Sequence, residues 1–161
     1  MGHNARVPPD AATDERFMRA ALAEARRALE HDDVPVGAVA VRDGEVVGVG
    51  HNTREVHGDP MGHAEITALR AASLAVGGWR LKGVTLYVTL EPCPMCAGAM
   101  LQARVDRCVY GAPDPKVGAA GSVTNLLGHP GLLHRVDVSG GILAQESLAA
   151  LGDFFTKRRV R

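Results

Sequence analysis

Two short patterns about thirty residues apart constrain this chain more than anything else in it: His63-Ala64-Glu65 and Pro92-Cys93-Pro94-Met95-Cys96. One imidazole and two thiolates form the donor set that a borderline-soft divalent ion such as Zn2+ selects, and they fill three corners of a tetrahedron. The fold must therefore bring the two patterns together. A fourth corner left to solvent would make the ion catalytic rather than structural. Each pattern reads as the opening of a helix, and the spacing of Cys93 and Cys96, i and i+3, lets both sulfurs converge on one ion. Helix N-termini favour thiolate over thiol through unpaired N–H groups and the positive dipole end. Glu65, two residues beyond His63 on the same first turn, can reach the metal's water without being a ligand, which suits a proton shuttle.

The remaining pattern supplies the frame. Met18, Leu22, Ala25 and Leu29 recur at helical spacing and predict a helix from residue 14 to about 31. Pro35 marks entry to a strand at 37–41; Asp43-Gly44 is a hairpin signal before a second strand at 45–52. A loop over 53–62 leads into the first metal helix, 63–74, which Gly77-Gly78 stops. The apolar, β-branched run 84–89 reads as a strand covered on both faces, and the second metal helix, 93–103, follows at once. A strand at 107–111, a Gly- and Pro-rich loop over 112–132, a short strand at 136–138 and a helix at 143–159 complete the chain. Loops as long as 112–132 inside a compact domain are uncommon unless they bind something. Helices alternating with strands on this schedule predict an α/β domain, a mixed sheet between helical layers.

With 161 residues the chain suits one domain, taken as residues 13–161 behind a flexible tail at 1–12. Its apolar runs are strand-sized, far short of a membrane span, and the N-terminus lacks a signal-peptide core, so a cytoplasmic location is expected. Cys108 reads as packing, with no disulfide framework implied. The 18 basic and 18 acidic side chains cancel, so contact with a nucleic acid would depend on local patches. The best such patch is the terminus, with Lys157, Arg158, Arg159 and Arg161; a run of this kind also serves simply as a solvated helix end. His3, His31, His51, His57, His129 and His134 carry no such company as His63 has. A structural zinc site would need a fourth protein ligand, for which only His57 and Cys108 are of suitable type.

The pairing of H-A-E with P-C-x-x-C resembles the signature of the zinc-dependent nucleoside and nucleobase deaminases. Further stretches are similar to the bacterial tRNA-specific adenosine deaminases among them: Val34-Pro35-Val36-Gly37-Ala38-Val39, Thr85-Leu86-Tyr87-Val88-Thr89-Leu90-Glu91, Cys96-Ala97-Gly98-Ala99-Met100, Gly118-Ala119-Ala120-Gly121-Ser122, His129-Pro130-Gly131 and Asp153-Phe154-Phe155. They run in one register over roughly residues 14 to 159. The resemblance implies a three-layer α/β/α cytidine-deaminase-like fold with a five-stranded mixed sheet, one Zn2+ per subunit, and a homodimer. It also implies hydrolysis of adenosine to inosine at the wobble position of a tRNA anticodon stem-loop, with water attacking C6, Glu65 moving protons and ammonia leaving.

On this resemblance Asn52 contacts the base, Pro35 and Val36 form its apolar wall, and Asp114 faces the ribose of the adjoining RNA, with Lys116 in the same loop. By position, the backbone N–H of Ala64 is free for a ring nitrogen of the substrate. Phe155, in step with Leu148 and Leu151, is expected in the core and Phe154 free to stack on a base. Met95 and Met100 are expected at an exposed apolar face suited to a dimer, and Glu91 to hydrogen-bond the turn after its strand. Gly62, where the resembling enzymes usually carry alanine, and Pro115 inside the long loop depart from the pattern. The competing readings are a free nucleobase or nucleoside deaminase with the same zinc and glutamate, and a non-catalytic zinc-stabilised RNA-binding module.

Overall fold

The computed structural model describes residues 10–159. Helix α1, Ala11–Ala28, begins earlier than its apolar spacing suggested, because Asp10 caps it by accepting the Thr13 N–H at 2.8 Å. The expected tail at 1–12 is thus shortened: 11 and 12 are helical, and residues 1–9 lie outside the described residues. A 3-10 turn, Leu29–His31, closes the helix, with Asp32 in the left-handed conformation.

Strands β1 (Gly37–Arg42) and β2 (Glu45–His51) form the expected hairpin, with Asp43 (φ 52°) and Gly44 (φ 77°) in the left-handed conformation that a tight two-residue turn requires. The segment between β2 and the first metal helix is not all loop. It carries a single turn, α2 (Arg54–His57), before α3 (Ala64–Val76). Then come β3 (Val84–Leu90), α4 (Pro94–Gln102), β4 (Arg107–Ala112), β5 (Asp137–Ser139) and α5 (Ala144–Arg159).

The five strands lie in the order β2-β1-β3-β4-β5, antiparallel from β2 to β3 and parallel from β3 to β5. Alternation along β1 divides the core. Ala38 and Ala40 face α3 and α4, whose Ala68, Ala72, Ala97 and Met100 are buried with Leu86 and Cys108. Val39 and Val41 face α1, against Phe17, Met18, Ala21 and Tyr87. Helix α5 packs beside α1 on this second face, giving the three-layer α/β/α arrangement. Cys108 is packing, as expected.

Two features fix how the helices sit on the sheet. Under α3, a Cβ added to Gly48 would stand 2.4 Å from the Ala68 carbonyl oxygen, and one on Gly50 would stand 2.3 Å from that of Ala64. The α3 backbone therefore rests directly on β2 with no side chain between. On the opposite face Asp14 of α1 receives both Arg107 guanidinium nitrogens at 2.8 Å and the Tyr87 hydroxyl at 2.9 Å, pinning the helix to β3 and β4. The Arg107 guanidinium also donates to Ser139 Oγ, reaching β5.

Candidate active site

Both metal patterns sit at helix starts: His63 is the N-cap of α3 and Cys93 the N-cap of α4, each with extended backbone. Because α3 and α4 lie side by side on one face of the sheet, their first turns meet. Cys93 Sγ lies 3.6 Å and Cys96 Sγ 3.5 Å from His63 Nδ1. A tetrahedral zinc with bonds of about 2.3 Å to sulfur and 2.0–2.1 Å to nitrogen separates a sulfur from a nitrogen ligand by about 3.6 Å. The donors therefore stand at the spacing such an ion needs, and the residues fit the metal. Among the described residues the cluster contains these three donors and no other; neither His57 nor Cys108 joins it as a fourth.

Protonation agrees with that use. The Cys96 thiol, directed at Cys93, holds the Cys93 thiol well below its ordinary value, at about 4, against the opposing effect of burial. Cys96 is pushed up by the same bond and by its own burial, and His63 is raised chiefly through its bond with Cys93. Donors that share protons release them when a cation takes their place. Glu65, in the first turn of α3, is only 4% exposed, and burial pushes its carboxyl up to about 7. A carboxyl poised near neutrality can both accept and return a proton.

The donors open into a cleft of about 230 Å3 lined by His63, Glu65, Cys93, Asn52, Val36 and Asp114, together with Val34, Leu90, Val117 and Phe155. Of the expected site residues, His63, Glu65, Cys93, Asn52, Val36 and Asp114 thus come together. The Asp114 carboxylate meanwhile accepts the Lys116 N–H at 3.0 Å, the turn role open to any aspartate. Lys116 itself is exposed beside the cleft.

Several expectations are corrected. The Ala64 N–H is not free for substrate: it donates to Asn52 Oδ1 at 3.0 Å. That bond also settles the side-chain orientation, since an N–H can meet only the amide oxygen, so the Asn52 Nδ2 donors are the end left for a ligand. The backbone of Asn52 is held too, its carbonyl receiving the His31 ring at 3.2 Å and its N–H meeting the Val36 carbonyl at 3.1 Å. Pro35 is buried and does not line the cleft; the Val36 N–H donates to the Val34 carbonyl at 2.8 Å, closing a tight turn about Pro35 that leaves Val34 and Val36 at the cleft.

The two phenylalanines are exchanged. Phe154 is 5% exposed and Phe155 47% exposed, and Phe155 is the ring at the cleft. Buried positions on α5 are Ser147 and Phe154, with Leu151 half-buried between them; Leu148 is exposed. A serine in the inward stripe shifted the apparent apolar face by one residue. Arg158 stacks on Phe154 and donates to the Asp32 carbonyl, so it is engaged within the fold rather than held out for RNA. Lys157 is exposed on the same helix, and the side chains of Arg159 and Arg161 lie outside the described ones. Met100 is fully buried and Met95 half-buried. The apolar surface of this layer is instead a groove of about 780 Å3 between α3 and α4, lined by Ile66, Leu69, Leu74, Ala99 and Ala103, with Leu74 85% exposed.

Two residues of the site, Arg54 and Asp33, carry no motif, and a third, Glu91, does more than its expected turn role. Arg54 lines the cleft from α2, two positions after Asn52. Asp33, fully buried, accepts the Glu55 N–H at 2.9 Å and so ties α2 to the segment bearing Val34 and Val36. Glu91, directly after β3, is buried and also lines the cleft. The departure at Gly62 has a local cause, since a Cβ there would lie 2.9 Å from the Arg54 backbone nitrogen.

Comparison with known proteins extends this picture. Residues 11–112 match the cytidine and deoxycytidylate deaminase zinc-binding region. The chain is 46% identical over 146 residues to a tRNA-specific adenosine deaminase of Bacillus subtilis, covering 91% of each. It is also 46% identical over 147 residues to one from Haemophilus influenzae, covering 91% of this chain and 85% of the relative. Among solved structures, a chain from studies of A-to-I editing by tRNA:A34 deaminases at the wobble position superposes with a TM-score of 0.81 at 47% identity, covering 84% of this chain and 99% of that one. Guanine deaminase from Bacillus subtilis superposes with a TM-score of 0.60 at 34% identity, over 75% of this chain and 71% of that one.

Proposed function

The chain belongs to the zinc-binding family of cytidine and deoxycytidylate deaminases, and from that premise we propose that it hydrolyses adenosine to inosine at the wobble position of a tRNA anticodon. One observation carries the chemistry: three donors at tetrahedral spacing, without a fourth among the described residues, beside a buried carboxyl and open to a cleft. When bound by His63, Cys93 and Cys96, Zn2+ supplies a Lewis acid that makes a bound water acidic near neutral pH. Glu65 would carry one proton of the attacking water to purine N1 and the other to the departing N6. The C6–N bond breaks as the C6–O bond forms, and ammonia leaves. Asn52 Nδ2 donates to a ring acceptor, while Val34, Val36 and Leu90 wall the base.

The cleft volume bears on the substrate. About 230 Å3 is below the roughly 300–1,000 Å3 of sites that enclose a drug-sized ligand, so it suits a base whose ribose and phosphates remain outside. A nucleotide within an unpaired loop meets that requirement, and the 46% identity to tRNA-specific adenosine deaminases supports the choice of RNA. The apolar groove between α3 and α4 supports a homodimer, and no helix among the described residues is long and apolar enough to cross a membrane. A cytoplasmic location accords with a tRNA substrate.

The test is direct. Zinc-loaded protein is given an anticodon stem-loop with adenosine at the wobble position, and separately free adenosine, guanine and cytosine; inosine and ammonia are measured. Conversion of the stem-loop alone is expected. Turnover of the free bases alone would replace this reading with a free nucleobase deaminase, and zinc-loaded protein that binds but converts nothing would be an RNA-binding module.

A further inference from the structure

Glu91 follows β3 directly, two residues before the metal ligand Cys93, and is 2% exposed. A carboxylate so buried must be matched by donors, and here every donor comes from one loop. One oxygen, Oε1, accepts the Asp114 N–H at 3.1 Å and the Ser122 hydroxyl; the other, Oε2, accepts the Ala120 N–H at 3.0 Å and the Ser122 N–H at 3.1 Å. Four donors meet the roughly four lone-pair sites of an ionised carboxylate. Main-chain bonds complete the wrapping: Glu91 N–H donates to the Ala112 carbonyl and Ala119 N–H to that of Pro92. There is no slack, since a Cβ on Gly118 would lie 2.4 Å from Glu91 Oε2. The loop so gathered carries Asp114 and Val117, which line the cleft together with Asn52 and with Arg54 of α2.

We propose that Glu91 is the positioning residue for the substrate loop, holding Asp114 and Val117 at a fixed distance from the metal ligands. Glu91 also lines the cleft, but its carboxylate oxygens are taken up by loop donors, so in this role it acts through the loop rather than on the reacting atoms. The proposal rests on the RNA deaminase reading, in which that loop meets the ribose and base of the target. A carboxylate is required because three of the four groups that the loop offers are backbone N–H, which can only donate. An amide of the same shape would turn its NH2 group toward N–H donors and release one side of the loop.

The experiment uses zinc-loaded full-length Glu91→Gln, with Ser122→Ala and Ser122→Thr as milder variants at an exposed position. Zinc stoichiometry, KM and kcat are measured on the anticodon stem-loop. For Glu91→Gln one zinc per chain is retained, KM rises about tenfold or more, and kcat stays within about threefold, the size expected for losing one charged hydrogen bond. Ser122→Ala raises KM about two- to fivefold, and Ser122→Thr, which keeps the hydroxyl, restores it. A fall in kcat at constant KM would overturn the proposal by making Glu91 part of the chemistry, and unchanged KM in zinc-loaded Ser122→Ala and Glu91→Gln would overturn it outright. If Glu91→Gln does not fold, the Ser122 pair decides. Wild-type protein that makes no inosine on the stem-loop would refute the functional reading instead, a result distinct from either.

Discussion

Asn52 offers a test in which the two ends of one side chain do separable work. Its Oδ1 accepts the N–H of Ala64, a residue with no exposure, at the first position of the helix that carries Glu65. Asn52→Ala leaves that donor buried and unpaired, a cost of about 1–3 kcal/mol. For a chain of 161 residues this lowers Tm by roughly 2–12 °C. Asn52→Asp keeps an oxygen for Ala64 and places a negative charge at a helix N-terminus, so stability is expected within about 1 kcal/mol of wild type. Both variants lose the Nδ2 donors, and an unpaired ring acceptor in the cleft costs about 1–3 kcal/mol, or roughly five- to 150-fold in kcat/KM. Aspartate is expected at the severe end because its charge stands near Glu65. Urea unfolding of the zinc-loaded proteins, paired with inosine formation on a stem-loop, reads both effects. Equal destabilisation by alanine and aspartate would show that the bond to Ala64 does not anchor the helix, and an active Asn52→Asp would remove the amide from substrate binding.

Glu65→Ala is expected to retain one zinc per chain by metal analysis and to lower kcat by at least about 10²–10⁴-fold, since general acid–base catalysis contributes that much per proton transfer; turnover near wild type would end the shuttle role. The exchanged phenylalanines separate by assay. Phe154→Ala removes a buried ring and lowers stability by about 3–5 kcal/mol, whereas Phe155→Ala leaves the melting curve nearly unmoved and raises KM for the stem-loop by the roughly 1–3 kcal/mol of a stacked base. Asp14→Ala takes two bonds from the half-buried Arg107 guanidinium, which keeps Ser139, and orphans the buried Tyr87 hydroxyl, so urea unfolding should show a loss of about 1–3 kcal/mol with zinc content unchanged. A loss below about 1 kcal/mol would show that the pin is dispensable.

The sequence carried the metal centre because three ligands must occupy fixed helical positions, and no other arrangement of His63, Cys93 and Cys96 suits one small ion. It carried the layers because apolar spacing in α1 and β-branched runs in β3 reflect burial directly. What it could not carry was partner choice. Ala64 offers the same N–H whether that group meets substrate or Asn52, and only the approach of the end of β2 to the start of α3 decides between them. Spacing misled on α5 because Ser147 faces inward without being apolar, so Leu148 drew the stripe toward Phe155. Glu91 reads only as a hydrogen-bond partner of the turn after its strand, and Asp33 offers no signal of its own; their importance lies in burial, and burial of a carboxylate is invisible until the loops around it are placed. Arg54 had a usable signal, a cation two residues after Asn52 on the approach to His63, but nothing in that spacing fixed its direction.

The direct seating of α3 on β2, with nothing but hydrogen at Gly48 and Gly50 between the two backbones, limits how this enzyme could be re-engineered for a bulkier base. That seat lies beneath the helix rather than in the cleft, and any larger residue at Gly48 or Gly50 would prise the helix, and Glu65 with it, off the sheet. Room for a different nucleobase has to come from the rims instead, by loosening the tethers that Asp33 and Glu91 provide, which makes those two acids the first positions to vary in a library aimed at new substrates.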